Sequence, residues 1–475
     1  MENDAFREAG HRVVDWIADY LGDLEARRVV PDVQPGEIRA QLPAAPPERG
    51  EPFERWMADF ERVIVPGMTH WQHPGWMAYF PSNTSPASVL GEMLAAGLGA
   101  QCMSWQTSPA ATELEQTVLD WLRQLVGLPE GFTGALQDTA SSSTLLALLA
   151  ARERATGFAF AEHGARAEGA GRLAVYASEE AHSSVEKAAR LAGYGQSALR
   201  RVATDDALAL RVDGLEEAMA RDAADGWRPA CVVATAGTTS TSAFDPLAEV
   251  ATACRRHGAW MHVDGAYGGV AGLLPEKRPL LAGLDQADSF VLNPHKWLLT
   301  NFDCSAFYVR DPAHLVRVFS TSPEYLRTAV DDRVVNFRDW GIPLGRRFRA
   351  LKLWFVLRAY GAEGLRDFLR GHVGLAADLA GRVQSHPDFE LLAPAPLGLV
   401  CFRFRPAGVA ADDARLDGWN AALLADVNAS GQVFLTSTRV RGRLALRASI
   451  GQRTTAARHV DLCWRLLVQH RPSGC

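Results

Sequence analysis

The sequence predicts an α/β protein with a mostly parallel central sheet and a smaller α+β domain at its C-terminal end. Three observations support this prediction. From about residue 86 to residue 350, short runs with strand character alternate with segments of helical periodicity. These runs are almost continuously apolar, as in strands that helices cover on both faces. Unusual polar residues stand where several runs end, and open parallel sheets bind their ligands at that edge.

Residues 1–85 predict a helical arm with little core of its own. Residues 3–28 show apolar side chains at helical spacing, and a short helix is expected at about 53–65. From Pro31 to Pro52 there are six prolines, a density that predicts an extended stretch without helix. An arm of this kind needs a surface to pack on, and we expect it to wrap around a second subunit.

Residues 86–350 predict the large domain that contains the sheet. Strands and helices alternate along it, and helix-ending glycines such as Gly258 support the boundaries. The predicted strands are Leu173–Ala177, Leu199–Ala203, Cys231–Thr235, Trp260–Asp264, Phe290–Asn293 and Ser305–Val309, and the predicted helices are Ser183–Leu191, Val212–Ala224 and Pro246–His257.

Residues 351–475 predict the smaller α+β domain, which a long amphipathic helix beyond Arg346 introduces. The hairpin from Arg439 to Arg447 is rich in arginine, and we interpret it as a solvated face rather than as a carboxylate clamp. The predicted strands of this domain are Gly398–Arg403, Phe434–Thr438 and Leu444–Ser449.

Composition disfavours several function classes. The 475 residues include 49 Lys and Arg against 55 Asp and Glu, a formal charge of −6, with the basic residues scattered along the chain. We therefore expect neither a nucleic-acid partner nor a membrane surface. No apolar run reaches the ~18–20 residues of a membrane-spanning helix. The N-terminus has no visible signal peptide and the seven cysteines show no disulfide spacing, so we expect a cytoplasmic protein.

A hydroxyl-rich segment predicts an anion site. Residues 138–144 have the sequence Asp-Thr-Ala-Ser-Ser-Ser-Thr and stand directly before a helical run. Backbone amides and hydroxyls at a helix N-terminus suit a phosphate ester. Ordinary capping explains one such hydroxyl, but the segment has more than capping needs. It lacks the Gly-Lys-Thr of a P-loop and the spaced glycines of a dinucleotide fold, which disfavours nucleotide binding.

Three further residues at strand ends suggest the chemistry of the site. Asp264 ends an apolar strand, and small residues after it leave room for a flat ring. A carboxylate there can keep a pyridine nitrogen protonated. Lys296 follows the strand ending at Asn293, among apolar neighbours that favour a neutral, nucleophilic amine. His182 follows another strand, and it can stack on an aromatic ring or assist proton transfer.

Each of these residues also has an ordinary interpretation. Asp264 could cap a helix, Lys296 could keep its head in water, and His182 could be a structural histidine. His262 shares a strand face with Asp264, but no third ligand is evident, and we predict no metal site. Together, an anion site, a histidine, a strand-end aspartate and a lysine meet the requirements of pyridoxal 5'-phosphate (PLP).

The sequence resembles the PLP-dependent group II decarboxylases of the aromatic-L-amino-acid type, the family of dopa, tryptophan and tyrosine decarboxylases. The resemblance spans essentially the whole chain and implies the PLP-dependent transferase-like fold (fold type I). Its most specific segments are THWQHPGWMAYFPSNTS (69–85), SWQTSPAATELE (104–115), AHSSVEKA (181–188), HVDGAYGG (262–269), NPHKWLLTNFDCSAFYV (293–309) and IPLGRRFRALKLWFVLR (342–358).

The resemblance implies a role for each site residue. Lys296 would bind the cofactor aldehyde as a Schiff base, Asp264 would pair with the ring nitrogen, and His182 would stack on the ring. Tyr325, in a polar stretch at 320–333, would return a proton to Cα from a mobile loop. The remaining cofactor contacts would be Thr139, Ala140, Ser141, Thr235, Ala266, Asn293 and His295. The substrate pocket would comprise Trp71, Tyr79, Phe80, Pro81, Ser82, Gln101, Met103 and Gly345.

The implied activity is decarboxylation of an aromatic L-amino acid to its amine and carbon dioxide, by a homodimer with active sites at the interface. In this family the partner subunit supplies positions 101 and 103, and bulky apolar or aromatic residues occupy them in animal members. Gln101 and Met103 depart from that pattern, so side-chain selectivity can differ. Gly345 is associated with large aromatic substrates, namely tryptophan, dopa, tyrosine or phenylalanine.

Three competing functions remain open from the sequence. Relatives that make aldehydes have phenylalanine in place of the residue matching Tyr325, or asparagine in place of the one matching His182. Both decarboxylase forms are present here, which predicts amine formation over an aromatic aldehyde synthase. The second competing function is that of a different fold type I PLP enzyme, such as an aminotransferase. The third is that of an inactive homologue that serves as a scaffold.

Overall fold

The computed structural model describes residues 1–165, 168, 171–321, 330–410 and 412–472, and strands and helices alternate along most of this chain. The strands are β1 (Thr133–Gln137), β2 (Arg172–Ser178), β3 (Leu199–Val202), β4 (Trp227–Thr235), β5 (Trp260–Asp264), β6 (Ser289–Leu292), β7 (Ser305–Val309), β8 (Phe389–Leu391), β9 (Leu399–Phe404), β10 (Thr436–Val440) and β11 (Arg443–Ser449).

The α-helices are distributed along the chain from Asn3 to Gln469. Helix α13 is long and is interrupted at Gly361, where φ is 64° and ψ is 175°. The α-helices are α1 (Asn3–Gly22), α2 (Glu37–Gln41), α3 (Phe53–Asp59), α4 (Pro86–Leu98), α5 (Pro109–Val126), α6 (Ala140–Thr156), α7 (Ala159–His163), α8 (Ser184–Leu191), α9 (Val212–Ala224), α10 (Leu247–His257), α11 (Pro294–Trp297), α12 (Pro312–Phe319), α13 (Arg349–Ser385), α14 (Asp413–Ala429) and α15 (Ala457–Gln469).

The central sheet has seven strands in the order β1-β7-β6-β5-β4-β2-β3. Strands β2 to β6 pair in parallel, whereas β7 runs antiparallel to both of its neighbours, β1 and β6. The predicted mostly parallel sheet is therefore confirmed. A smaller four-stranded sheet, in the order β10-β11-β9-β8, forms in the C-terminal region, which confirms the predicted smaller α+β part.

Helix α6 packs on one face of the central sheet and forms the core there. Its small side chains, such as Ala147 and Ala150, let the helix approach Val175, Val233 and Val291 of the sheet closely. Every residue of β5, β6 and β7 is buried. Strands that are buried on both faces explain the continuous apolar runs from which the fold was predicted.

The chain divides into two units. One contains Met1–Pro81, Gly381–Glu390 and Phe402–Cys475, and the other contains Ser82–Ala380 and Leu391–Cys401. Within the first unit, the N-terminal segment packs on the C-terminal segment of its own chain, because Val29 N–H donates to Gly431 O at 2.8 Å. The three-part division at residues 85 and 350, and the wrapping of a second subunit, stay predictions.

The proline-rich stretch contains a short helix that the sequence did not predict. Residues Glu37–Gln41 form α2 directly after Gly36, whose φ is 96°. The prediction of a helix-free stretch was wrong here because seven residues between Pro35 and Pro43 are free of proline. Among the described residues, no helix is both long enough and apolar enough to cross a bilayer.

Candidate active site

The carboxyl ends of β4, β5 and β6 bring three predicted site residues to one edge of the sheet. Thr235, at the end of β4, is the register partner of Asp264, at the end of β5. Asp264 is the register partner of Val291, two residues before Asn293. Ala266 joins the two ends, since its N–H donates to Asp264 Oδ1 at 3.0 Å and its carbonyl accepts from Asn293 N–H at 3.1 Å.

Lys296 lies in the single-turn helix α11, which begins directly after Asn293. Its N–H donates to Asn293 O at 3.0 Å. The side chain is half-buried, and the surrounding protein withdraws water from the ammonium group. Burial lowers the pKa of Lys296, and the charge of Asp264 opposes this shift in part. The amine is therefore easier to deprotonate than that of a free lysine, as Schiff-base formation requires.

The residue after Lys296 anchors α11 to the interior. The Trp297 ring is completely buried and stacks on Tyr267, with ring centroids 5.0 Å apart and 11° between the planes. Its Nε1–H donates to Nδ1 of the buried His372 at 3.1 Å. These contacts hold the turn that carries Lys296 against rotation.

His182 lies in the loop between β2 and α8, and its ring is partly open to solvent. Ser184 N–H donates to His182 Nδ1 at 3.2 Å, so the neutral ring carries its proton on Nε2. Loss of water contact lowers the pKa of His182, Asp264 opposes that shift and Lys296 adds to it. The three side chains therefore interact electrostatically, and His182 is mainly neutral at pH 7.

Thr139 caps α6, and its side-chain oxygen accepts a hydrogen bond from within the first turn. Ser143 Oγ and Thr144 Oγ1 donate to the carbonyl oxygens of Thr139 and Ala140, at 3.2 and 2.9 Å. Because these hydroxyls bond to carbonyl oxygens of the helix itself, fewer hydroxyls remain for an anion than the sequence suggested. The groups left for an anion are the backbone amides of the first turn and the exposed Ser141 hydroxyl.

These groups fit PLP by the chemistry that each offers. The half-buried amine of Lys296 suits the aldehyde, the carboxylate of Asp264 suits a protonated ring nitrogen, and the start of α6 suits the phosphate. Thr235 Oγ1 is buried and has no partner among the described residues, which leaves it available to a ligand. An unpartnered buried hydroxyl is unusual without such a role.

Two glycines after Asp264 are required by the packing of the protein itself. A Cβ atom on Gly265 would lie 2.5 Å from the Phe290 ring, and one on Gly268 would lie 2.4 Å from Ala236 O. Packing within the protein therefore explains glycine at these two positions, and the approach of a flat ring there stays a prediction.

Comparison with known proteins identifies the family. Residues 35–405 match the family model of the pyridoxal-dependent decarboxylase conserved domain. The chain belongs to this family. This group II decarboxylase is thus a PLP-dependent carboxy-lyase, as the sequence predicted. When bound, PLP supplies an electron sink for the pair that remains on Cα as carbon dioxide leaves.

Three relatives illustrate the similarity. The decarboxylase is 43% identical to the aromatic-L-amino-acid decarboxylase of Sus scrofa, over 98% of this chain and 96% of the relative. It is 42% identical to phenylacetaldehyde synthase of Arabidopsis thaliana, again over 98% of this chain and 96% of the relative. Its structure is similar to that of Oryza sativa TDC with PLP and tryptamine, with a TM-score of 0.96 and 38% identity over 99% and 98% of the two chains.

His295, the residue before Lys296 in the decarboxylase, contacts protein groups in the structure. Cys304 N–H donates to its Nδ1 at 2.9 Å, and the ring lies 4.7 Å from that of Phe302. Burial lowers the pKa of His295 to about 3, so the ring is neutral at physiological pH. Its contact with the cofactor stays a prediction.

Sequence reasoning missed Asp245, which holds one strand end of the decarboxylase in place. Its carboxylate accepts from Thr235 N–H at 2.7 Å and from Leu210 N–H at 2.8 Å. Burial raises the pKa of Asp245 to about 6. In the sequence it is indistinguishable from an ordinary helix-capping aspartate before α10, because its partners lie in other elements, 10 and 35 residues earlier.

Four predicted substrate residues belong to the unit that contains the N-terminus, namely Trp71, Tyr79, Phe80 and Pro81. The Trp71 ring lies 4.3 Å from that of Trp76, and it stacks on Tyr79 at 5.8 Å with 16° between the planes. Trp71 and Tyr79 remain 38% and 54% exposed. They form an open aromatic surface, which we call the aromatic cluster.

Arg447 in the same unit is buried, with 4% of its surface exposed. It donates to Thr436 Oγ1 at 2.9 Å and to Tyr79 O at 3.3 Å, and it lies 5.6 Å from the centre of the Phe80 ring. The interpretation of the arginine-rich hairpin as a solvated face is wrong at this residue, because the last five residues of β11 are all buried.

The remaining predicted substrate residues, Ser82, Gln101, Met103 and Gly345, belong to the larger unit. Gln101 Oε1 accepts from Arg346 N–H at 2.7 Å. A Cβ atom on Gly345 would lie 3.0 Å from Gln101 Nε2, so these two positions are in direct contact. The predicted proton donor, Tyr325, lies outside the described residues.

Proposed function

We propose that this decarboxylase converts an aromatic L-amino acid, namely tryptophan, dopa, tyrosine or phenylalanine, into the amine and carbon dioxide. The aromatic cluster supports this substrate class, because stacked rings with exposed faces favour contact with another aromatic ring. The similarity to an aromatic-L-amino-acid decarboxylase over nearly the full length of both chains supports it as well.

A substrate panel tests this proposal. We expect the highest kcat/KM for one of the four aromatic acids, with histidine and glutamate as contrasting substrates. A preference for histidine or glutamate would contradict the proposal.

The similarity to a phenylacetaldehyde synthase makes aldehyde formation the second candidate. His182 and Tyr325 both match the decarboxylase forms, so we propose amine as the product. Carbon dioxide, amine, ammonia and peroxide should be measured in one reaction. Amine formed in step with carbon dioxide is expected, whereas peroxide in step with carbon dioxide would establish the aldehyde route.

Replacing the Schiff-base lysine separates an enzyme from an inactive scaffold. Lys296→Ala should abolish turnover and the yellow colour that borohydride bleaches, because it removes the amine that forms the Schiff base. Lys277→Ala, on a surface loop, is the matched control and should retain both properties. Unchanged turnover in Lys296→Ala would overturn the assignment.

We also propose that the decarboxylase acts as a homodimer with active sites at its interface. Leu90, Leu94 and Leu98 are spaced at one-turn intervals on α4 and are 49, 52 and 66% exposed. Such an apolar stripe is typical of a surface that a second chain covers. Sedimentation analysis should show a dimer that Leu94→Glu dissociates, and a monomeric wild type would contradict the proposal. The predicted cytoplasmic location remains to be tested by cell fractionation.

A further inference from the structure

The hydroxyl of Ser305 determines how the Asn293 side chain is oriented. Ser305 begins β7 and is completely buried. Its Oγ–H donates to Asn293 Oδ1 at 2.7 Å, and Asn293 is itself only 3% exposed. A buried hydroxyl needs an acceptor, and a buried amide oxygen needs a donor, so this hydrogen bond fixes the amide plane.

The backbone of Asn293 is held as firmly as its side-chain oxygen. Its N–H donates to Ala266 O at 3.1 Å, and its carbonyl accepts from Lys296 N–H at 3.0 Å. The hydrogen bond that the described residues make with this side chain is the one from Ser305 to Oδ1, and it does not involve the nitrogen, Nδ2. Because the Ser305 hydroxyl holds Oδ1 on its own side, Nδ2 is the group that the Asn293 side chain can present to a ligand.

The strand register places this donor beside the start of α6. Ser305 in β7 is the register partner of Gln137, the last residue of β1, after which α6 follows. Ala306 is the register partner of Leu292, directly before Asn293. The amide and the helix N-terminus therefore occur at the same edge, on either side of β7.

We propose that Ser305 is a positioning residue for the phosphate of PLP. By occupying Oδ1, its hydroxyl directs Nδ2 of Asn293 to donate to the phosphate bound at the start of α6. Without the hydroxyl, the amide can rotate and present its oxygen to the anion, where two acceptors repel. This inference rests on the proposed PLP-dependent function and on the expectation that Asn293 contacts the cofactor and the start of α6 binds its phosphate.

Ser305→Ala tests the proposal through two ligands that differ only in the phosphate. The cofactor is removed from the full-length chain, which is then titrated with PLP and with pyridoxal. The absorbance of the Schiff base gives the Kd for each ligand. We expect the Kd for PLP to rise about tenfold, because a charge-assisted hydrogen bond is lost, while the Kd for pyridoxal is unchanged. Equal changes for both ligands, or no change for either, would overturn the inference.

Three variants separate positioning from general stability. Ser305→Thr keeps the donor and should retain the wild-type ratio of the two Kd values. Ser289→Ala removes an equally buried hydroxyl from the other end of the neighbouring β6, where it bonds Trp260 and His262, and should leave the ratio unchanged. Ser305→Ala should add nothing in an Asn293→Ala background, since the hydroxyl acts only through that amide. A further loss there would overturn the inference.

The same experiment distinguishes this inference from the proposed function. A wild-type chain that forms no Schiff base with either ligand contradicts the proposed function itself. A wild-type chain that binds PLP normally, with an unchanged ratio in Ser305→Ala, contradicts only the role of Ser305. If Ser305→Ala does not fold, Ser305→Cys, with a weaker donor of similar shape, provides the same comparison.

Discussion

The strand-end edge of the larger unit and the aromatic cluster of the other unit hold their residues in different ways. At the edge, Asp264 and Asn293 are 6% and 3% exposed, and main-chain hydrogen bonds fix both. In the cluster, Trp71 and Tyr79 are 38% and 54% exposed, and their side chains stack on each other. Hydrogen bonds fix direction, whereas stacked rings tolerate sliding. We therefore expect changes at the edge to lower kcat and changes in the cluster to raise KM.

After Lys296→Ala, the largest effect should come from Asp264→Asn. This change keeps the shape of the side chain but removes the charge that holds a pyridine nitrogen protonated, so kcat should fall by on the order of 10²-fold or more. Steady-state kinetics measures it. Asp222→Asn is the control, because Asp222 is a buried carboxylate that binds Tyr176 and Arg200 instead. If Asp264→Asn mainly raised KM, the expected difference between the strand-end edge and the aromatic cluster would be contradicted.

A smaller effect should follow from Trp71→Ala and Tyr79→Ala. Each removes one ring of a stacked pair, which is worth about 0.5–1.5 kcal/mol, so KM for the preferred aromatic acid should rise about 2- to 10-fold. Trp71→Phe should retain most of the affinity. Trp56→Ala removes an exposed ring outside the cluster and should leave KM unchanged. A fall in kcat at constant KM would break the distinction between the two regions.

The smallest expected effect is a loss of stability in acid, and it should be similar for a histidine from each region. Burial lowers the pKa of His262, on the strand that ends at the edge, and of His73, close in sequence to the cluster, to about 4 in each case. An unfolded histidine titrates near 6.5, so between pH 6.5 and 4 the unfolded chain binds more protons than the folded one. The free energy of unfolding should therefore fall on acidification, by at most about 1.4 kcal/mol per pH unit for each histidine.

Denaturant unfolding between pH 7 and pH 4.5 measures this slope. His262→Asn and His73→Asn should each make the slope shallower. A slope that is the same in both variants and in the wild type would show that other groups cause the acid sensitivity.

Most of the fold could be predicted because its elements carry local patterns. The bounds predicted for Val212–Ala224, Trp260–Asp264 and Ser305–Val309 are those of α9, β5 and β7. Strand β1 was not predicted, since Thr-Gly-Ala-Leu-Gln is short, contains glycine and has no distinctive alternation. It becomes a strand through pairing with β7, a segment about 170 residues away in the chain.

The sequence by itself determined the cofactor, the family and the order of the residues that carry the chemistry. Those residues follow apolar strands, and parallel strands end at a common edge of the sheet. Their positions after the strands therefore predict that they lie close together in the fold. The tertiary structure alone decided how they are held. The Ser305–Asn293 bond and the Asp245–Thr235 bond join residues 12 and 10 positions apart in different elements, and Arg447 bonds Tyr79, 368 positions away. Strand register and packing determine which residues become hydrogen-bond partners, and the residues adjacent in the sequence specify neither.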